Sequence, residues 1–307
     1  MPELSQRLQD TALRYFLEVV RSGSLTEAAG RLHVTASAIS RQIALLEDAL
    51  GVPLFERRPR GMVPSAAGEL LAAHARRAAL EADRVVSDIR GLQGLRQGRV
   101  RIASSSGFAV EFLPRVIAEF RQRYMGIQFD LQAMGPAEVS IALLQGDADI
   151  GLTYSRTPQR GIHVQYQQSA SVFAIMRPDH ALAKFDRVTL AQMHSYPIAL
   201  SMPDTTVRQL FDIACSNRSL VFEPVLLSNR FETLANFVLH SGGLSISGEM
   251  TVRDRVQRGE LHAAEIHEKG MRGRAVELQT LADRTLPEVV RVFLAFLQER
   301  LPADVEK

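Results

Sequence analysis

The sequence predicts an α/β protein with three parts: an N-terminal winged helix-turn-helix over residues 1–65, a long linker helix and hinge over 66–98, and a C-terminal α/β unit over 99–307. Three patterns carry that prediction. Short capped helices crowd the stretch before Gly51, a strict apolar repeat follows Ala66, and short apolar runs alternate with helical periods beyond Gly98. The 46% hydrophobic and 23% charged content is that of a folded globular protein and excludes wholesale disorder. Cys215 is the single cysteine, so no intramolecular disulfide can form, which suits a reducing compartment. No apolar run is long enough for a membrane span, and MPELSQRLQD lacks the apolar core of a secretory signal, so the expected location is the cytoplasm, with no membrane partner. A formal net charge of +2 does not by itself argue for nucleic acid, so that case depends on where the charge sits.

In the first part, Leu13, Phe16, Leu17 and Val20 recur at helical spacing. Ser24 with Glu27 forms the pattern of a capping box at the start of a second helix through Ala28, Ala29 and Leu32. Thr35 is placed to cap a third, in which Ala38, Ile39, Ile43, Leu46 and Leu50 keep the period until Gly51. A short small-faced helix, a tight turn and a longer helix make a helix-turn-helix, whose second helix is free to enter a major groove. Its outward groups are Ser37, Ser40, Arg41 and Gln42, all able to donate hydrogen bonds to phosphates or base edges. VPLFERRPRGMVP then reads as strand, basic turn and strand, a wing carrying Arg57, Arg58 and Arg60, and Ser65 is placed to cap the next helix. A protein-interaction bundle with a solvated basic face is the alternative for these residues.

The segment FLEVVRSGSLTEAAGRLHVTASAISRQIALLEDALGVPLFERRPRGMVPSAAGELL resembles the N-terminal signature of LysR-type transcriptional regulators. SLTEAA, SAISRQI, LE, LG, LFER and Ser65 before Ala67-Gly68 fall at the family's spacing. The resemblance implies a bacterial, sequence-specific DNA-binding regulator, with Ser24, Thr26, Thr35, Ser37, Ser40, Arg41, Gln42, Arg57, Arg58, Arg60 and Ser65 as DNA-contact candidates. Ala36 departs from the family, many of whose members carry a DNA-reaching Gln there.

The stretch Ala66 to Arg90 is rich in good helix formers, and Leu71, Ala75, Ala78, Ala82, Val85, Ile89 and Leu92 alternate four and three residues apart. A repeat of 3.5 rather than 3.6 residues favours pairing with a second copy over packing on the chain's own C-terminal part. The dimer would present two recognition helices to two half-sites. In the resembled family this is the linker helix and dimers pair into homotetramers, with RNA polymerase as a further candidate partner.

Beyond Gly98, the runs VRIAS, IQFDLQAM, ADIGLTY, SVFAIM, PIALS and PVLLS alternate with helical patterns, which predicts parallel sheets covered by helices. The resemblance sharpens this to a two-lobed effector-binding domain of the periplasmic-binding-protein type II kind. Lobe one is expected over 99–164 and 270–301, lobe two over 165–269, and a small molecule in the cleft between them. Ligands of open α/β sheets bind beyond the carboxyl ends of strands. The junctions there hold Ser104, Ser105, Ser106 and Gly107; Met134 and Gly135; Thr153 and Tyr154; Asp204, Thr205 and Thr206; and Ser228, Asn229 and Arg230. Phe231 and Gly243 complete the effector candidates that the resemblance implies. Free N–H groups and hydroxyls suit a small anionic metabolite such as a carboxylate, although the same residues commonly serve only as helix caps. HSGGLSISGEM departs from the family pattern, with Ser241 for its first Gly and Gly248 for its closing Pro.

Enzyme signatures are missing. The chain has no G-x-G-x-x-G after a strand, no Walker lysine loop, no G-x-S-x-G elbow and no H-E-x-x-H. His262 and His267 lack the spacing of a helical metal pair, and Cys215 reads as a buried inert thiol. The expectation is a regulator with no catalytic residue, no metal and no cofactor besides its effector. An enzyme or solute-binding module bearing an unrelated interaction domain is the alternative.

Overall fold

The computed structural model describes residues 10–58, 61–91, 97–154, 159–268, 271 and 274–301. The chain divides into two compact units, one of Met1–Gly94 with Arg284–Glu288 and one of Leu95–Asp283 with Val289–Lys307.

The first unit opens with helix α1, Thr11–Ser22, whose first N–H groups are capped by Asp10. Helix α2, Leu25–Leu32, starts at Ser24 and ends at His33, a non-glycine residue held at φ 56 where the chain turns sharply. Helix α3, Ala36–Leu50, is capped by Thr35 as expected. The capping box at Ser24 is only half made. Ser24 Oγ accepts from Glu27 N at 3.4 Å, but the Glu27 carboxylate turns to Arg31, and Ser24 N donates to Ser22 Oγ instead. Strands β1, Phe55–Arg58, and β2, Gly61–Pro64, pair antiparallel as the wing. Gly61 sits at φ 115, and a Cβ there would lie 2.5 Å from the Gly23 carbonyl oxygen, so only glycine allows β2 to lie against the end of α1.

Phe16, Val19, Ala28, Ala29, Ile39, Ile43, Leu54, Phe55 and Ala72 form the unit's core, with the Phe16 and Phe55 rings 5.2 Å apart. The small Ala28 and Ala29 let α2 come close to α3, the feature that frees the outer face of α3. Leu50, expected to continue the apolar face, is exposed. Helix α4, Ala66–Gly91, leaves the wing and brings Ala72 and Leu71 into the same core.

The second unit has two sheets. Lobe one orders its strands β4-β3-β5-β13-β6, where β3 is Gly98–Ser105, β4 Ile127–Met134, β5 Ile150–Tyr154, β6 Ile162–Ala170 and β13 Arg274–Leu281. Its helices are α5, Ser106–Val110; α6, Phe112–Arg123; α7, Pro136–Gln145; and α12, Glu288–Gln298. Helix α12 returns to this lobe, where Phe293 meets Phe120 edge-on at 5.1 Å. Lobe two orders its strands β10-β9-β11-β7-β12-β8, with β7 Val172–Met176, β8 Arg187–Val188, β9 Ile198–Ser201, β10 Leu226–Ser228, β11 Leu244–Gly248 and β12 His262–Ile266. Its helices are α8, Leu190–Met193; α9, Thr206–Asn217; α10, Phe231–Ser241; and α11, Glu249–Gln257.

Two expectations need correction. The sheets are mixed, not parallel: β3, β4 and β5 run parallel, as do β9, β10 and β11, but β13 and β7 run against their neighbours. The lobe boundary also moves from residue 164 to Ala170, because β6 pairs along its whole length with β13, from Ile162 opposite Leu281 to Ala170 opposite Arg274. Both crossings between lobes therefore leave from adjacent strands.

Ser245, in β11, is fully buried, and among the described residues its Oγ meets no hydrogen-bond partner. A buried unbonded hydroxyl costs about 1–3 kcal/mol. Ser245→Ala is accordingly expected to raise the urea midpoint of the second unit, a gain of up to about 1 kcal/mol, and a drop would reveal a bond made by that hydroxyl.

Candidate functional site

On the first unit, Ile39 and Ile43 anchor α3 in the core, and the opposite side presents Ser37, Ser40 and Arg41 exposed with Gln42 half-buried. Ser37 Oγ lies 3.1 Å from Thr35 Oγ1, the cap that accepts from Ala38 N. No carboxylate among the described residues holds Arg41. Arg31, by contrast, is fixed by Glu18 at 3.2 Å and by Glu27, so its charge is neutralised on the spot. Thr26 is exposed on α2, and Ser24 is half-buried at its cap. Ser65 serves the fold: its hydroxyl donates to the Pro53 carbonyl at 2.7 Å and accepts from Gly68 N at 3.1 Å, tying the wing to α4. That removes it from the DNA-facing set as a free donor. Arg57 and Arg58 lie in β1, but their side chains, and all of Arg60, fall outside the described residues.

The expected dimer seam is only partly open. Leu71 packs on the winged-helix core, and Ala75 and Ala82 are buried, whereas Ala78 and Ile89 are exposed and Val85 is half-buried. Leu92 lies outside the described residues. The first turns of α4 are taken up by the chain's own core, which holds Leu71, while the neighbouring Leu70 is 76% exposed.

On the second unit, the carboxyl ends of β3, β4, β9 and β10 meet the starts of helices, which places most of the effector candidates at such junctions on one lobe or the other. Ser104 is fully buried, and among the described residues its Oγ has no hydrogen-bond partner at the end of β3. Ser105 and Thr153 are buried and satisfy each other, Oγ to Oγ1 at 2.8 Å. Ser106 is exposed at the start of α5, beside half-buried Met134 and exposed Gly135 on the next strand end. Gly135 N donates to Glu138 Oε2 at 2.9 Å, so a carboxylate already covers the start of α7.

Across the cleft, Thr205 caps α9 by accepting from Arg208 N, bonds Ser201 Oγ at 2.7 Å, and donates to the Met202 carbonyl. Thr206 is buried and Asp204 exposed. Asn229 and Arg230 are exposed at the start of α10, and no described carboxylate holds Arg230. Phe231 is half-buried against Ala235, Val238 and Val252, with the Arg255 guanidinium 5.7 Å from its ring centre.

Two effector candidates move. Gly243 lies at the entering end of β11, where a Cβ would strike the Pro197 carbonyl, so it faces away from the cleft. The glycine at the cleft end of that strand is Gly248. Tyr154 is part of a joint between the lobes. Its ring stacks on Phe108 at 5.1 Å, its hydroxyl bonds Thr251, and a Cβ on Gly248 would lie 2.3 Å from that oxygen. Burial pushes the Tyr154 phenol up to about 12, and space beside it, about 10 Å³, admits at most one water. A larger hollow of about 280 Å³ lies on lobe one beside Arg101, Gln132 and Asp147, away from the strand ends.

Burial pushes the Cys215 thiol up to about 11, which leaves almost no thiolate at neutral pH. The folded protein should resist iodoacetamide at pH 7.5 and react only once urea unfolds it, whereas equally fast labelling in both states would contradict the buried placement. Among the described residues no group of three His, Cys, Asp or Glu could hold a metal ion, and no helix is long and apolar enough to cross a membrane.

Two families match this chain: the LysR substrate binding domain over residues 93–302, and the bacterial regulatory helix-turn-helix protein, lysR family, over residues 11–69. The probable regulator LrrA of Synechococcus elongatus is 32% identical over 69% of this chain and 73% of its own length. The regulator AlsR of Bacillus subtilis is 27% identical over 61% of this chain, and the match spans 62% of AlsR. Among solved structures, a full-length single-residue variant of OxyR from Pseudomonas aeruginosa has a TM-score of 0.69 at 16% identity, covering 94% of both chains. Full-length CbnR in complex with its target DNA has a TM-score of 0.52 at 20% identity over 94% of this chain and 98% of CbnR. The effector-binding domain of QuiR with shikimate has a TM-score of 0.53 at 14% identity over 66% of this chain and 96% of that domain.

Proposed function

The chain belongs to the LysR family of DNA-binding transcription regulators, which are not enzymes, and from that premise we propose how its parts divide the work. The exposed face of α3 reads operator DNA through Arg41, with Ser37, Ser40 and Gln42 beside it and Thr26 and the wing arginines on the phosphates. Two copies pair along the open face of α4, two such dimers form a tetramer, and at a cytoplasmic promoter RNA polymerase is the partner to be recruited or blocked. That CbnR is solved with its target DNA and QuiR with shikimate supports a DNA-reading first unit and a small-molecule cleft in the second.

A small anion is the effector this cleft suits. Ser104, Ser106 and Asn229 offer donors and Arg230 a cation that no described carboxylate holds, whereas Glu138 and Asp204 set carboxylates at the starts of α7 and α9. The anionic group therefore belongs at the Ser104–Ser106 and Asn229–Arg230 rims. Effector control requires different affinity for two assembly states, not binding alone.

The observation that carries the DNA assignment is the exposed Arg41, held by no described carboxylate, among hydroxyls on a helix fixed rigidly from behind. Binding to duplex from just upstream of the protein's own gene should exceed binding to random duplex and weaken with salt. Arg41→Ala should cost about 1–3 kcal/mol on the operator and little on random DNA. Equal loss on both duplexes would remove Arg41 as a base reader, and no preference at any salt would overturn the operator assignment.

A further inference from the structure

Helix α11 belongs to lobe two by chain order, yet it is tied to lobe one at both ends. At its start the tie is neutral and close-fitting. Thr251 meets the Tyr154 hydroxyl, and a Cβ on Gly107 would lie 2.2 Å from Thr251 Oγ1. Toward its far end the tie is ionic. Glu111 Oε1, at the junction of α5 and α6, accepts from Arg255 Nε at 3.3 Å and Arg258 Nη2 at 3.0 Å, and Arg115 Nε donates to Asp254 Oδ2 at 3.1 Å.

We propose that this ion cluster is a latch that sets the angle between the two lobes. Among the described residues the lobes are also joined by two chain crossings and by the neutral joint, which can act as a pivot. Side-chain exposures of 17% for Glu111, 14% for Arg255 and 15% for Asp254 keep these pairs partly shielded from solvent, while Arg115 and Arg258 stay open enough for salt to weaken them.

The latch also reaches the cleft. Glu111 lies one short helix beyond Ser106, and the Arg255 guanidinium that it holds sits against the Phe231 ring, beside Asn229 and Arg230. A molecule pressing on that rim bears on the latch directly. This regulatory meaning rests on the effector reading of the cleft, but the latch itself is tested without any effector.

The test places spin labels on Gln132→Cys in β4 and Leu227→Cys in β10, both exposed, in a Cys215→Ala full-length chain diluted with unlabelled protein. The distance between them is read by pulsed electron resonance across a sodium chloride series. The parent should give one narrow distance at low salt that broadens and lengthens as salt rises. Glu111→Gln should give a longer, broader distribution already at low salt and keep only the part of the salt dependence that the Arg115–Asp254 pair supplies. Should Glu111→Gln fail to fold by circular dichroism, the pair Arg115→Gln with Asp254→Asn, which leaves Glu111 and its two arginines in place, is expected to shift the distribution in the same direction. Parent and folded variants sharing one distribution at every salt concentration would overturn the latch. A latch that responds as described while no small anion alters DNA binding would instead count against the effector reading.

Discussion

Asp149→Ala should lower the unfolding free energy of the second unit by about 3 kcal/mol, without altering the first unit's own transition. Asp149 is 3% exposed and takes three bonds from Arg101: Nη2 to Oδ1 at 2.7 Å, Nε to Oδ2 at 3.2 Å, and the backbone N to Oδ2 at 2.9 Å. The Arg101 carbonyl receives Asp149 N in return at 2.8 Å, and Arg101 Nη1 holds the Gly146 carbonyl at 2.7 Å. One carboxylate thus closes the turn after α7 onto β3. Removing it takes this carboxylate from a guanidinium whose side chain is 27% exposed and which keeps its bond to the Gly146 carbonyl, and this places the loss near the lower end of the range of about 3–5 kcal/mol for a broken buried pair. Replacing both partners, as Arg101→Met with Asp149→Leu, should cost less than Asp149→Ala alone, because no charge is left unpaired. Urea unfolding of the parent and both variants checks this, and a double replacement that costs as much as Asp149→Ala or more would contradict the unpaired-charge account.

Gly68→Ala should destabilise the winged helix by about 3 kcal/mol or more and weaken binding to every DNA. A Cβ at Gly68 would stand 2.1 Å from the Leu54 carbonyl oxygen, the same oxygen that accepts from Ser65 N at 2.9 Å. Backbone lies on both sides of the clash, so neither can swing away, and the wing would be pushed off α4. Gly30, within α2, has nothing within 4 Å of its virtual Cβ. Gly30→Ala should therefore stabilise the same unit by roughly 0.5–1 kcal/mol, the ordinary gain of alanine in a helix. Thermal melts of the two variants should move in opposite directions, and a neutral Gly68→Ala would refute the close packing of wing and linker.

The winged helix was legible in sequence because its signals are local: Thr35 caps α3 in place, Ala28 and Ala29 pack where spacing put them, and Gly51 ends the helix. The two-lobed unit was less so, because its arrangement depends on long-range pairing. Nothing in IHVQYQQSA shows that it will lie along a strand from the far end of the chain, so the lobe boundary fell short of Ala170. Gly243 and Gly248 bracket one strand, and only its direction in the sheet shows that the second reaches the cleft. Tyr154 ends the right strand, but strand position does not reveal that its ring is enclosed by Phe108 and the other lobe. On α4 an apolar period marks a packed face without naming its partner, and the chain's own core took Leu71. The ion cluster around Glu111 left no motif, since its members lie far apart in sequence.

Whether two copies of α3 read a specific DNA site is decided by selecting bound duplexes from a random pool at fixed near-physiological salt. Enrichment is expected of a pseudo-palindrome whose half-sites lie about 10 bp, or a multiple of that, apart, with the enrichment lost for Arg41→Ala. A recovered pool indistinguishable from the input, with binding that falls with salt alike for every sequence, would contradict a site-reading pair of helices.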